Sequence, residues 1–214
     1  MILKRFISLL PLLVLLGWVS TSWAQPFRDG EDYKLGVTMG LNVTQLTGTE
    51  LKDPGIKTGM VIGAYYRKEL TKNWHLSSEI AFSLRGSNFA HGAENEYYAM
   101  KFVYMDFPLA LMYKVVDDEN KQFALIGLEP SYMLQSEIYI NPEFRAQYRN
   151  YGFKPFDLAT QVGYHFDFYY FGFRPSIKIG LLNINDNLNL EGVTPETGKG
   201  GSIRNFTMDF KFFF

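Results

Sequence analysis

The final stretch of the chain, residues 202–214, alternates polar with apolar side chains and ends in a run of aromatic residues. A period of two is the pattern of a β-strand, because successive side chains point to opposite faces of the sheet. The polar face of this predicted strand carries Asn205, Thr207, Asp209 and Lys211. The apolar face consists of Phe206, Met208, Phe210, Phe212 and Phe214. Such a strand is suited to a wall between lipid and a polar interior, as in a transmembrane β-barrel.

Residues 1–24 have the three parts of a secretory signal peptide. Lys4 and Arg5 supply a positive start, an apolar run follows, and Ser22-Trp23-Ala24 forms a small-x-small cleavage site. The apolar run is too short to cross a bilayer comfortably as a helix. We therefore expect cleavage after Ala24, which leaves residues 25–214 as one mature β-barrel domain.

The composition of the mature chain limits the classes of protein to which it can belong. Loss of the two cations in the signal peptide takes the formal charge from −1 to −3, which argues against a nucleic-acid partner. The chain has no Cys, which excludes disulfides, thiolate metal sites and a lipid-modified cysteine. Aromatic residues make up 17% of the chain, yet the mean hydropathy is only −0.10. Alternation within barrel strands reconciles these two values.

The alternating pattern recurs along the chain and predicts eight strands: 33–44, 58–70, 74–87, 98–115, 122–134, 155–166, 169–183 and 202–214. Short turns alternate with four long loops, which are 45–57, 88–97, 135–154 and 184–201. Short turns on the periplasmic side and longer outer loops are typical of bacterial outer-membrane barrels, and an even strand number places both termini in the periplasm. The predicted fold is all-β: an eight-stranded antiparallel transmembrane up-and-down β-barrel with a filled polar lumen, in the outer membrane of a Gram-negative cell.

The predicted lumen face carries as many cations as anions. Its cations are Lys34, Arg67, Arg85, Arg174, Lys178 and Lys211, and its anions are Glu69, Glu79, Asp106, Glu129, Asp157 and Asp209. Side chains roughly fill the interior of an eight-stranded barrel, so buried charges there must be paired or hydrated. Six of these residues fall near mid-strand and form the candidate lumen charge network: Glu79, Arg85, Asp106, Glu129, Arg174 and Lys178. A salt-bridge plug is the expected state, with a conduction path or proton relay as the alternative.

The segment from Tyr104 to Lys114 reads Tyr-Met-Asp-Phe-Pro-Leu-Ala-Leu-Met-Tyr-Lys. It resembles a segment of the PorT-like outer-membrane β-barrel family (outer membrane protein beta-barrel domain), and residues 35–42, 74–86 and 126–134 extend the resemblance along the mature chain. The resemblance implies a barrel in the outer membrane. The namesake of the family is an accessory component of type IX secretion, so a secretion role is a further implication. Pro108 within a closed ladder predicts a bulge or a lost hydrogen bond.

The motifs of common enzyme classes are missing from the sequence, which has no G-x-S-x-G elbow, P-loop or Rossmann fingerprint. The three histidines, His75, His91 and His165, lack the spacing of helical metal ligands. Ser87 and His91 are the only pair suited to a lipid-modifying barrel enzyme. The pair lacks an assigned orienting carboxylate, although Glu94 and Glu96 are close by in the sequence. We predict a protein that is not an enzyme and has no cofactor and no metal.

The loop 135–154 combines aromatic, Arg and Asn residues in the proportions of a contact surface. The candidate partner contacts are Tyr139, Phe144, Arg145, Tyr148, Arg149 and Tyr151. An extended strand hairpin above the membrane is the structural alternative for this loop. The leading hypothesis is a non-enzymatic integral barrel that serves as a structural or accessory subunit of an envelope assembly, with outer-membrane lipid and other envelope proteins as partners. A small channel and a lipid-modifying enzyme are the other two hypotheses.

Overall fold

A computed structural model describes seven parts of the chain, namely residues 33–48, 51, 54–90, 97–140, 148–149, 152–186 and 202–214. The predicted signal peptide lies outside them. The strands are β1 (Tyr33–Thr47), β2 (Pro54–Gly55), β3 (Lys57–Glu69), β4 (Trp74–Ala90), β5 (Tyr97–Asp106), β6 (Leu109–Val116), β7 (Gln122–Ile140), β8 (Tyr148–Arg149), β9 (Phe156–Asp167), β10 (Gly172–Gly180) and β11 (Arg204–Phe213). None of the described residues forms a helix long and apolar enough to cross a membrane.

The described strands close into an antiparallel barrel. Each strand of the wall pairs with its sequence neighbours, and β11 pairs with β1 from Thr38↔Phe213 to Thr47↔Arg204 to complete the ring. The wall has eight positions among the described residues, because β5 and β6 follow one another in a single position between β4 and β7. The predicted eight-stranded antiparallel barrel is confirmed. We call the end that carries the turns 70–73, 117–121 and 168–171 the short-turn end, and the opposite end the loop end.

Pro108 divides β5 from β6 without changing the register of the wall. The residues on either side of it pair with β4 as Ala81↔Asp106 and Ser78↔Leu109, which keeps the same alignment. The carbonyl of Pro108 still accepts from the N–H of Glu79 at 2.9 Å. Pro108 therefore interrupts the strand only because proline has no N–H to donate, and the strand has no bulge at this position.

A bulge does occur further along, where β7 passes β5. Val103 pairs with Gln135 and Tyr104 with Met133, so Leu134 is an extra residue. The extra residue reverses the alternation, and Ser136 and Ile138 become the buried positions beyond it. This phase change explains why the predicted strand stopped at residue 134, whereas β7 continues to Ile140.

The outward face is apolar across the middle of the wall, as the alternation predicts. Large hydrophobic side chains such as Leu35, Ile80 and Ile126 are about half exposed or more, since only lipid would cover them. Aromatic side chains gather at the short-turn end, where the Trp74 and Tyr113 rings lie 4.9 Å apart and Tyr170 is 81% exposed. Aromatic girdles of this kind mark the level of a membrane interface.

The lipid-facing assignment predicts an effect of charge that depends on depth. Leu109→Arg introduces a cation near the middle of the apolar band and should reduce the free energy of unfolding by about 2–4 kcal/mol. Leu70→Arg, its matched control at the short-turn end, should change it by about 0–1 kcal/mol. Urea unfolding in detergent, followed by heat-modifiable migration, measures both. Equal losses for the two variants would contradict the outward assignment of Leu109.

Candidate functional site

The middle of the lumen holds a continuous chain of ion pairs that crosses the barrel. It contains four carboxylates and four cations, each of them at most 4% exposed. We call it the charge chain, and its members in order of contact are Asp106, Arg85, Glu129, Lys178, Asp209, Lys211, Glu79 and Arg174. All six residues of the network proposed from the sequence belong to it, and it also includes Asp209 and Lys211.

At the loop-end side of the chain, Arg85 bridges two carboxylates. Its guanidinium lies 2.7 Å from Asp106 Oδ2 and 2.6 Å from Glu129 Oε1. It also lies over the ring of Tyr104, 4.8 Å from the centroid, and Nε donates to Ser83 Oγ at 3.0 Å. A planar guanidinium suits this role, because its donors reach several partners at once.

At the centre, two lysines link the remaining carboxylates. Lys178 Nζ lies 2.5 Å from both Glu129 Oε2 and Asp209 Oδ2. Lys211 Nζ donates to Glu79 Oε2 at 2.8 Å and lies 3.8 Å from Asp209 Oδ2. Arg174 contacts the other oxygen of Glu79. Every cation of the chain therefore faces at least one carboxylate, which offsets the desolvation of both charges.

The network continues toward the short-turn end through a histidine. Arg174 Nε donates to Nδ1 of His165 at 3.3 Å, and Nε2 of His165 lies 2.8 Å from Asp167 Oδ1. Asp167 in turn pairs with Arg67 at 2.5 Å and with Lys34 at 3.2 Å. The imidazole thus accepts on one nitrogen and donates on the other, which fits a neutral ring held between a cation and an anion.

The structure corrects the predicted positions of two acidic residues. Glu69, predicted to face the lumen, is exposed at the end of β3, so that prediction is wrong. Asp167, which was assigned to a turn, is the last residue of β9, and its N–H donates to the carbonyl of Lys121 at 2.8 Å. The signal was present in the parity of the strand, because Asp167 is two residues from His165 and shares its inward face.

Apolar side chains fill the lumen at the loop end, where a polar interior was predicted. We call this group the apolar cap, and its buried members are Leu46, Phe89, Met100, Phe102, Tyr104, Met133, Ile138, Ile184 and Ile203. Leu51 and Phe153, which lie outside the wall strands, pack against it. Residues from outside the wall strands thus add to the wall residues, and together they form a small hydrophobic core at this end.

An aromatic layer fills the lumen at the short-turn end. Phe213 packs edge-on against Tyr65 at 5.0 Å and His165 at 5.1 Å between ring centroids, and Arg174 lies 4.2 Å above its ring. Gly172 provides the space for this arrangement, because a Cβ there would lie 2.8 Å from the imidazole Cε1 of His165. Phe213 faces inward although both of its neighbours face lipid, as strand alternation requires.

The candidate partner contacts lie partly beyond the described residues. Tyr139 lies near the end of β7, where its hydroxyl donates to Glu137 Oε2 at 2.5 Å and Lys101 Nζ lies 4.2 Å above its ring. Tyr148 and Arg149 form β8, which pairs with β7 at Ile138 and Glu137, so the loop begins as a hairpin. The remaining three candidates lie outside the described residues: Phe144, Arg145 and Tyr151.

The proposed catalytic pair is only half described. The Ser87 hydroxyl is buried and donates to the carbonyl of Gly55 at 2.7 Å, so it is held by the backbone of β2. His91 lies outside the described residues. Over the described part of the chain, no three His, Cys, Asp or Glu side chains come together as a metal site.

The comparison with protein families decides what kind of barrel this is. A family model described as outer membrane protein beta-barrel domain matches residues 23–186. The chain belongs to this family. It is accordingly an integral β-barrel protein of the Gram-negative outer membrane, as the sequence predicted.

Solved structures include two outer-membrane proteins with a similar chain path. Ail, the attachment invasion locus protein of Yersinia pestis, in complex with the heparin analogue sucrose octasulfate, is 12% identical over 86% of this chain and 98% of that one, with a TM-score of 0.48. OprG of Pseudomonas aeruginosa is 10% identical over 86% and 94% of the two chains, with a TM-score of 0.38. No curated protein matches the chain. These identities are too low to carry information on function.

In this outer membrane barrel, the charge chain predicts strong coupling between its members. Glu129→Gln leaves Arg85 and Lys178 with one carboxylate fewer between them and should lower the free energy of unfolding by about 3–5 kcal/mol. Adding Lys178→Gln removes a cation as well and should restore part of that loss. Urea unfolding in detergent of the wild type, both single variants and the double variant gives the coupling energy. Strictly additive losses would show that these charges are solvated independently.

Proposed function

We propose that this protein is a non-enzymatic outer-membrane barrel that serves as a structural or accessory subunit of an envelope assembly. After removal of residues 1–24, its two termini and short turns lie in the periplasm and its long loops lie outside. The observation that carries this proposal is the filled lumen. A barrel without a free interior can act only through its lipid face, its turns and its loops.

Strand β4 passes all three layers that fill the lumen. His75 packs against Phe123, whose ring lies 6.1 Å from that of His165 in the aromatic layer. Glu79 and Arg85 belong to the charge chain, and Phe89 belongs to the apolar cap. An ion moving through the barrel would have to displace paired charges and then enter an apolar core without its hydration shell, and both steps are very unfavourable. This arrangement supports a closed barrel over a small channel.

The long loop after β7 is the surface best suited to a protein partner. Its hairpin begins at β7 and β8, and Tyr139 adds an aromatic ring that already contacts a lysine. Aromatic residues and Arg are enriched at protein interfaces. The candidate contacts are those of the sequence analysis: Tyr139, Phe144, Arg145, Tyr148, Arg149 and Tyr151. The resemblance of the segment around Pro108 to PorT-like barrels supports type IX secretion as the most specific form of the accessory role.

Quantitative co-purification tests the accessory role. The tagged full chain should retain specific envelope proteins in mild detergent, and Tyr139→Ala combined with Phe144→Ala and Arg145→Ala should reduce their yield at least severalfold. Asp118→Ala with Glu119→Ala, in a short turn, is the matched control and should leave the yield unchanged. A solitary monomer in every mild detergent would contradict the proposal.

The filled lumen also predicts that the protein does not conduct ions. Folded protein in planar bilayers should give flat current traces, because the charge chain and the apolar cap occupy the lumen between the described strands. Insertion is checked independently by protease protection of the same bilayer sample. Stepwise conductance from correctly folded protein would favour the channel hypothesis instead.

The orientation is testable because the chain has no Cys. Asp186→Cys lies at the loop end and Glu119→Cys in a short turn, and both positions are exposed. A membrane-impermeant maleimide applied to intact cells should label the first variant and spare the second, whereas both should react after lysis. The reverse pattern would place the short turns outside.

A further inference from the structure

A cleft of about 320 Å³ opens on the wall near the loop end, where β3, β4, β5 and β7 pass one another. Its lining includes Lys57, Leu84, Lys101, Val103 and Glu137. Leu84 is 48% exposed, and Lys101 and the adjoining Thr58 are also exposed, so the cleft is open to the surroundings of the barrel. It is separate from the charge chain, apart from the Arg85 residue that borders both.

The cleft exists because the wall departs from regular pairing at Gly86. The paired register of β3 and β4 ends at Val61↔Ser83. Beyond that point the carbonyl of Gly86 accepts a hydrogen bond from the hydroxyl of Thr44 on β1, at 2.8 Å. The φ of Gly86 is +152°, and a Cβ there would lie 2.0 Å from the carbonyl oxygen of Met100. Only glycine fits this backbone. The opening is thus built into the sheet.

Two lysines flank the opening at Gly86. The side chain of Lys57 lies against it, with Cδ 2.9 Å from the position that a Cβ would take, and Lys101 is the cross-strand partner of Gly86 on β5. Both lysine side chains line the cleft. Within the described part of the chain neither lysine has an ion pair.

The carboxylate opposite Lys101 in the register accepts from two neutral donors. Glu137 is opposite Lys101 in the register of β5 and β7, yet its oxygens accept from the Tyr139 hydroxyl at 2.5 Å and the Gln135 amide at 2.7 Å. Lys101 Nζ lies over the Tyr139 ring instead. Apart from Arg85, which is paired within the charge chain, the described lining of the cleft has two cations and one carboxylate, and it favours an anionic ligand.

The cleft also lies at the edge of the apolar band. On its short-turn side the outward residues are apolar, namely Met60, Leu84, Val103 and Leu134, whereas on its loop side they are Thr58, Lys101 and Glu137. A change from apolar to polar or charged side chains along neighbouring strands marks the level of lipid headgroups. A ligand seated here would meet cations at its head and apolar wall along its tail.

We propose that Lys57 and Lys101 bind the phosphate group of a phosphorylated lipid of the outer leaflet, with the acyl chains lying along Leu84 and Val103. Lysine ammonium groups bind phosphate as point charges, and two of them beside an apolar surface match an anionic amphiphile. Assignment of the lipid to the outer leaflet rests on the orientation given under the proposed function. Binding itself depends only on the cleft.

Native mass spectrometry of the full chain in nonionic detergent, titrated with phosphorylated or dephosphorylated lipid A, tests the site. Wild type should bind the phosphorylated lipid at least about tenfold more tightly than the dephosphorylated one, as expected for charge-assisted contacts. Lys57→Gln with Lys101→Gln should remove this preference, and Glu137→Gln should strengthen binding. Lys68→Gln, an exposed lysine at the short-turn end, is the matched control and should leave binding unchanged.

Three results would overturn the proposal. They are equal binding of the two lipids by wild type, an unchanged preference in the double lysine variant that keeps heat-modifiable migration, and full displacement of the lipid by millimolar inorganic phosphate. The first needs no variant, so a folding defect cannot obscure it. Because micelles have no sides, a negative result here leaves the maleimide test of orientation unaffected.

Discussion

The pairing of buried charge is the constraint on which the rest of this barrel depends. A strand that slides by two residues against its neighbour still presents apolar groups to lipid, so the outer face specifies register only weakly. The inner face is stricter, because such a shift would separate Lys178 from Asp209 or Arg85 from Asp106. An unpaired ion in a narrow interior is costly. The charge chain therefore selects one alignment among those that the lipid face would tolerate.

The three layers of the lumen differ in how they restrain the chain. The charge chain joins side chains of the wall strands, while the apolar cap also captures Leu51, Phe153 and Ile184 from beyond the wall. The cap thus orders the segments from which the loops emerge, and the hairpin of β7 and β8 starts from this fixed base. Rigid support beneath a variable loop is a common way to present a binding surface. The filled interior and the proposed surface function are consistent with each other.

Much of the fold could be read from the sequence, because alternation reports directly on which face meets lipid. The strands around Ile80 and Phe210 follow the rule, and Pro108 marked an interruption correctly. The failures have local causes. The extra residue Leu134 reversed the phase of β7, and a turn-like sequence concealed Asp167 at the end of β9. The apolar cap could not be foreseen, since it depends on which loop residues fold inward, and the cleft beside Gly86 depends on a break in pairing between strands.

The pairing of β1 with β11 has a consequence for the order of events during folding. These are the first and last strands of the described chain, and their contact closes the ring. No closed wall can exist until β11 has been synthesised, so the lumen charges of the earlier strands lack a complete set of partners during synthesis and transport. Contacts this distant in sequence form slowly. Until β1 and β11 pair, the cations and carboxylates of the lumen face stay hydrated, and the final loss of that water coincides with closure of the wall.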